Sequence, residues 1–413
     1  EDNEKKVKEI VKIFIKPFNL EKGFLVRAGV ITGNIDNDIL MFDMHHIIGD
    51  GYSMNVLVKE FIELYEGKEL PPLSIQYKDY SEWLVNKDLT SKSSFWKEVF
   101  KDKVPLLNIP LDFNRGKTQS FNGSSIDFRL EEEYIEKLNK LCKDNNVTEF
   151  MVFLAVYVIL LSEFSGDRDI VVGSPLSGRV HRDTENMIGM FASTLPFRCK
   201  INKNYTYSDL LRHVKKVCLK VYENQEYPLE DIISDVGISR DMSRNPLFDV
   251  MFVMQDSLEN GFKLDGMESE PLEIESSSTK FDLSLGVKKE EEGYDLSFQY
   301  SVDLFKESTI KNLAKYYKNI INSMIENANM NIFDNSVLKE EEKENIIKEI
   351  KKAQTDVAVA EKFFQFVSDP ELVDVAIYNL EAKKSRYRYL IKIAKEKGIK
   401  KSLKESLIEA MAK

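Results

Sequence analysis

Two adjacent histidines stand out in a chain that has only four: they open the run His45-His46-Ile47-Ile48-Gly49-Asp50-Gly51. An apolar segment precedes the run and an amphipathic one follows. The pair therefore sits where a strand turns into a helix, and the glycines let that turn expose a side chain at a cleft. Neighbours on extended backbone point to opposite faces, so one histidine is expected to support the turn and the other to do chemistry. A near-neutral imidazole can accept a proton from an attacking amine or hydroxyl, or orient it. Asp50 can orient an imidazole or hold the loop through a cation. A structural turn without chemistry is the other reading of the same residues. A metal centre would have to recruit His181, His213 or distant carboxylates, and no ligand spacing supports one, so no metal is expected.

The surrounding elements follow from periodicity. Residues 4–15 read as a helix stopped by Pro17, 24–31 and 39–44 as strands joined through Gly33-Asn34, and 54–66 as an amphipathic helix ended by Gly67. A second cycle then begins: a strand at 126–130, a helix at 131–143, and a buried helix capped by Thr148 and running to 164. Further strands are expected at 169–173, 191–198, 246–255, 281–288 and 294–300, with helices at 207–223, 229–236, 308–326 and 339–352. Strands and helices alternating in mixed order predict an α/β or α+β protein of two lobes, at 1–120 and 121–356, with a helical tail at 357–413.

Composition narrows the function. The 413 residues are 43% hydrophobic and 31% charged, enough apolar material for packed cores. The net charge of -11 argues against a nucleic-acid partner. Residues 357–413 carry 12 Lys/Arg against 8 Asp/Glu, whereas the rest carries 46 against 61, so the tail is compositionally separate. The longest apolar run, 150–161, is too short to span a bilayer and no membrane partner is expected. Cys142, Cys199 and Cys218 are scattered and odd in number; with no signal peptide, a reducing, cytoplasmic setting is expected. Neither GxxxxGK[ST] nor GxGxxG occurs, so no nucleotide chemistry is expected in this chain.

The histidine run matches HHxxxDG, and four further motifs follow it in order. Tyr77-Lys78-Asp79-Tyr80-Ser81-Glu82-Trp83 is similar to YxDYAxW. Met187-Ile188-Gly189-Met190-Phe191 with Ser193-Thr194-Leu195-Pro196 is similar to IGxFxNT. Asn224-Gln225-Glu226-Tyr227-Pro228-Leu229-Glu230 is similar to HQxYPFE, and Arg240-Asp241-Met242-Ser243-Arg244-Asn245-Pro246-Leu247-Phe248 matches RDxSRNPLF. Together they resemble the condensation domains of non-ribosomal peptide synthetases over about residues 1–356. Ala192 and Ser193 stand where the family has Val-Asn, Asn224 where it has His, and Leu229 where it has Phe; these read as packing changes. The family's opening SxAQxRLW-type helix and RHxxLRTxF-type strand are missing, so residue 1 is expected to fall inside the first lobe, which would leave an open sheet edge.

The resemblance implies two chloramphenicol-acetyltransferase-like lobes in a V around a tunnel. Donor and acceptor peptidyl carrier proteins would enter from opposite faces, with phosphopantetheine arms as substrates and no permanently bound cofactor. It casts His46 as the active-site histidine, His45 as loop support and Asp50 as a structural partner of Arg179. Gly51 would let backbone amides approach the oxyanion. Ser243, Arg244 and Asn245 are implied as tunnel support, with Asn245 near the tunnel. The RDxSRNPLF form is similar to the subtype that joins two L-residues. Tyr80 and Trp83, three residues apart, read as packing, and His181 and His213 read as surface residues. A non-catalytic module that recruits carriers or tailoring enzymes is the alternative function.

Where a synthetase usually continues into an adenylation domain, after Gln354-Thr355-Asp356, residues 357–413 are expected to form something else. The tail reads as short helices, with a capping box at Ser368-Asp369-Pro370-Glu371, a C-cap at Gly398 and another start at Ser402 and Glu405. FFQFVSDPEL and LIKIAKEKGI resemble the Nif11-type leader region of ribosomally made peptides. A helical docking or dimerising tail is the other reading, so a synthetase subunit or a maturation enzyme is its expected partner.

Overall fold

The computed structural model describes residues 2–32, 38–238, 241–255, 272, 278–334, 340–367 and 370–396. Gly33-Asn34, Arg240, Ser368-Asp369, Gly398, Ser402 and Glu405 lie outside them.

The first part combines α1 (Asp2–Phe14), the antiparallel pair β1 (Val26–Ile31) and β2 (Ile39–Met44), α2 (Gly51–Tyr65), α3 (Tyr77–Val85) and α4 (Thr90–Val99). α1 buries Val7 and Val11, four residues apart on one face. Its Phe14 ring lies over Gly29, where a Cβ would come within 3.0 Å of it. Arg27 on β1 pairs with Asp43 on β2 at 3.0 Å and donates to the Phe14 carbonyl at 3.2 Å, tying helix and hairpin together.

The second part is built on a six-stranded mixed sheet. In chain order it holds β3 (Gly123–Glu131), α5 (Glu133–Asn145), α6 (Glu149–Ser165), β4 (Asp169–Leu176), β5 (Ser193–Lys200), α7 (Tyr207–Glu223), α8 (Leu229–Val236), β6 (Val250–Gln255), β7 (Leu283–Glu290), β8 (Gly293–Ser301) and α9 (Glu307–Glu326). The sheet order is β3-β8-β7-β6-β4-β5, with β6 parallel to β4 and β7 and the other neighbours antiparallel. α6 is apolar on every face, and Met151 to Ser162 are buried without a break. Thr148 caps its start by accepting from the Met151 amide at 3.3 Å, and Gly166 ends it in the left-handed conformation. α6 packs against α7, α9, β4 and β6, which makes it the centre of the larger core. No single helix among the described residues is long and apolar enough to cross a membrane.

Several expectations are corrected. The larger core starts well before residue 121: Trp96, Phe100 and Ile109 are buried in it, because α4 packs on α8 and the Trp96 indole donates to the Asn224 carbonyl at 3.3 Å. α2 begins at Gly51 rather than 54, since Asp50 caps it. β6 begins at Val250 rather than 246, and Leu247 and Phe248 enter the core ahead of it. Nor are the described residues of the tail a set of short helices. α10 (Glu340–Phe366) runs unbroken through the expected boundary at 356/357, where Gln354-Thr355-Asp356 offers no proline or glycine to stop it, and α11 (Pro370–Glu396) packs along it. His213 is no surface residue: it is half-buried on α7 against Tyr205, its Nε2 has no partner among the described residues, and burial, with Lys216 nearby, lowers its pKa.

Trp96→Ala should cost about 3–5 kcal/mol in chemical denaturation. A change within about 0.5 kcal/mol, as at a surface site, would remove α4 from the larger core.

Candidate active site

The site grows from the first turn of α2. Asp50 is its N-cap: Oδ1 accepts from the Ser53 amide at 2.8 Å and the Ser53 hydroxyl at 2.7 Å. The same carboxylate reaches the second part of the chain. Oδ2 accepts from the amides of Phe191 and Ala192, each at 3.0 Å, and Oδ1 lies 3.3 Å from Arg179 Nη2. Burial by itself would raise the Asp50 pKa. The Ser53 hydroxyl and amide, the Arg179 charge and the Phe191 amide outweigh it and hold the carboxyl below the usual range.

Ser53 is the residue that sequence reasoning missed. Its hydroxyl, fully buried, also contacts the Gly189 carbonyl at 2.8 Å, and accepts from the Gly189 amide at 3.1 Å and from Arg179 Nη2 at 2.9 Å. The sequence signalled only the cap: an aspartate at a helix start accepts from the amide three residues on, whatever side chain that residue carries. Arg179 is almost wholly buried. It donates through Nη1 to the carbonyls of Thr184 and Met187 (2.8 Å for the latter), with the rings of Phe191 and Tyr52 at 4.1 and 4.5 Å from its Cζ. Two glycines let the backbones approach. A Cβ at Gly189 would lie 2.2 Å from the Tyr77 ring, and Gly178 has φ +64° with the Phe191 carbonyl oxygen 2.0 Å from where a Cβ would stand.

This lock aims the histidines in different directions. The His45 amide donates to the Leu25 carbonyl at 2.9 Å, its Nδ1 accepts from the Ile47 amide at 3.1 Å, and its ring meets Phe18 edge-on at 6.1 Å. His45 therefore builds the turn. His46 is exposed, and its Nδ1 lies 2.8 Å from the Gly49 carbonyl. A carbonyl only accepts, so Nδ1 carries the proton in the neutral ring and Nε2 keeps its lone pair. Among the described residues Nε2 has no hydrogen-bond partner. Gly49 is fenced in by Met44, whose Cε would lie 2.5 Å from a Cβ there, whereas a Cβ at Gly51 would meet nothing within 4 Å.

The other expected residues separate into two groups. Tyr80 packs with Met187 and Phe191 in a small core beside the lock; Trp83 tilts against Tyr80 at 5.8 Å with the Lys87 ammonium over its ring. Ser243, Arg244 and Asn245 belong to a charge network elsewhere. Ser243 donates to Asp241 at 2.7 Å, Arg244 pairs with Asp249 at 2.6 Å, and the Asn245 side chain donates to the Lys280 carbonyl at 3.2 Å. Arg115, which no motif marked, completes it by gripping Asp282 and the Ser243 carbonyl. Burial, then the neighbouring Asp282, pushes the Asp249 pKa up. None of the bonds these three residues make among the described residues reaches His46. Nor do three His, Cys, Asp or Glu side chains gather as metal ligands there.

Comparison with known proteins gives the context. A model described as the condensation domain matches residues 1–347, and one described as a protein of unknown function (DUF2508) matches residues 332–401. The chain is 42% identical over 354 residues to bacitracin synthase 3 of Bacillus licheniformis, covering 85% of this chain and 6% of that protein. It is 38% identical over 359 residues to gramicidin S synthase 2 of Brevibacillus brevis, covering 86% and 8%. The chain thus spans under a tenth of the length of these relatives. Among solved structures, a four-domain nonribosomal peptide synthetase bound to AMP and glycine superposes with TM-score 0.71 at 22% identity, over 81% of this chain and 27% of that one. The complex of the X-domain and OxyB from teicoplanin biosynthesis gives 0.69 at 20%, over 80% and 77%. These two likenesses support the fold.

The lock has a pH signature. A carboxyl whose folded pKa lies below its ordinary value of 3.8 adds stability that is present above that value and lost as pH falls through the folded one. Asp50→Asn should therefore lower stability at neutral pH and flatten the acid limb of the stability curve; an unchanged acid limb would show that the carboxylate is not held ionised. Ser53→Ala, which strips a partner from the buried Gly189 amide and Arg179, should cost about 1–3 kcal/mol in the same measurement.

Proposed function

Since the chain belongs to the condensation domain family, we propose that it forms an amide bond between a donor acyl or peptidyl thioester and the amine of an acceptor aminoacyl thioester, both carried on phosphopantetheine arms of carrier proteins. The observation that carries this reading is His46, exposed at a strand-to-helix turn with Nδ1 bound to Gly49 and Nε2 open.

The acceptor nitrogen attacks the thioester carbonyl, forming the C–N bond and an oxyanion. The amine gives up a proton, the C–S bond breaks, and the thiolate leaves and is protonated. An amine on a thioester is already a fair nucleophile near neutral pH, so a strong base is not required. His46 Nε2 accepts a hydrogen bond from the attacking N–H, orients it and steadies the cationic nitrogen of the tetrahedral species. Open space beside Gly51 at the start of α2 leaves room for a developing oxyanion near the helix's first amides. His45, Asp50, Ser53 and Arg179 act through the turn, holding His46 in place rather than touching substrate. The Arg240-to-Phe248 motif, together with the histidine motif, favours the subtype that joins two L-residues.

His46→Ala should leave the fold intact and lower dipeptide formation between loaded donor and acceptor carriers by about 100-fold or more, read by mass spectrometry of the acceptor thioester. Turnover equal to that of the unaltered protein would overturn the role of His46. Carrier binding with no turnover from the unaltered protein would favour the recruiting module instead.

A further inference from the structure

The helical hairpin of α10 and α11 lies largely beyond the condensation match, and its exposed apolar side chains are unevenly spread around it. Its seam is narrow and made mostly of alanine: Ala353 and Ala360 on α10 meet Ala376, Leu390 and Ala394 on α11. The spacings of seven, fourteen and four keep each set on one face of its helix. Each of three seam residues is preceded by a large exposed one: Val359 before Ala360, Val375 before Ala376 and Tyr389 before Leu390. One residue is a 100° rotation. In an antiparallel pair, the sides reached by the same rotation from the seam lie on the same face of the hairpin. Phe363, one turn after Val359, and Leu372 and Tyr378, on either side of Val375, extend that face. The residues one step past the seam are mixed: Gln354 follows Ala353, and Glu361 follows Ala360 and pairs with Lys384 at 3.1 Å, while on α11 Ile377 follows Ala376 and Ile391 follows Leu390. Most of the exposed large apolar side chains thus fall on one side of the hairpin, and the other mixes polar residues and an ion pair with Ile377.

Val359, Phe363, Leu372, Val375, Tyr378 and Tyr389 are 46% to 78% exposed. At roughly 150–250 Å² per large side chain they present on the order of 600 Å² of apolar surface, at the upper end of what a typical monomer leaves in one patch, about 300–600 Å². A standard interface takes about 800 Å² from each partner, which this face and a polar rim including Lys352 and Arg386 can supply. The ion pairs of α10 and α11 among the described residues are made within the hairpin.

We infer that this face is a dimer interface, and that its occupant is the same face of a second copy of the chain. Two hairpins set face to face about a two-fold axis make a four-helix bundle, the smallest closed arrangement that buries an apolar side of two paired helices. The rim carries both signs, with Glu349 and Arg386 paired at 3.4 Å and Asp356 and Lys383 at 3.6 Å, so it sets no block of like charge against a second copy of itself. This inference is independent of the proposed chemistry.

Light scattering on the full chain at micromolar concentration should give twice the mass of one chain. Val375→Glu with Tyr378→Glu, at exposed positions, should return it to the mass of one chain with helix content unchanged by circular dichroism. A single-chain mass for the unaltered protein overturns the inference. If the Val375 and Tyr378 region of that monomer resists hydrogen exchange until 397–413 is deleted, the C-terminal segment is the occupant instead. A dimer that persists in the double variant overturns it equally.

Discussion

Taking the Asp50 carboxylate out of water would cost several kcal/mol if its oxygens were left bare. They are not: two groups of Ser53, two backbone amides and a guanidinium meet them. Three of those donors come from the second part of the chain, so the compensation exists only when residues 178–192 are in place against the start of α2. The geometry of the histidine turn depends on that condition. Asp50 fixes where α2 begins, the start of α2 fixes Gly49, and the Gly49 carbonyl holds the ring of His46.

The sequence carried most of the local information because the turn, the cap and the first residues of the capped helix lie within nine residues, His45 to Ser53. The motif pointed to His46, and the Asp50–Arg179 pair was named from it. Ser53 went unnoticed because its hydroxyl is engaged by Gly189 and Arg179, more than 120 residues away. The bonds to Gly189, Phe191 and Ala192 join backbone groups about 140 residues away, and a backbone amide leaves no trace in residue identity. Ser243, Arg244 and Asn245, expected as support, are the opposite case. Their motif is conspicuous, but the side chains spend their hydrogen bonds on Asp241, Asp249 and Lys280.

Boundaries were the least legible feature, for two physical reasons. Trp96 belongs to a core whose strands begin some 27 residues later, because an indole is large enough to carry α4 across to α8. α10 continues through a change in charge composition, since net charge sets no backbone preference and only proline, glycine or a cap would stop the helix. The run from Gln354 to Phe366 supplies none.

Asp50 binds the backbone of residues 191 and 192, not their side chains. Position 192 and its neighbour 193, where the chain carries Ala and Ser in place of Val and Asn, are therefore free to drift without loosening the carboxylate. Gly189 and Gly178 have no such latitude, because any side chain there would meet Tyr77 or the Phe191 carbonyl. Mutational tolerance across this segment is thus set residue by residue. Sites that contribute only an amide can diversify to suit whatever passes beside them, and the two glycines keep that diversification from moving the turn.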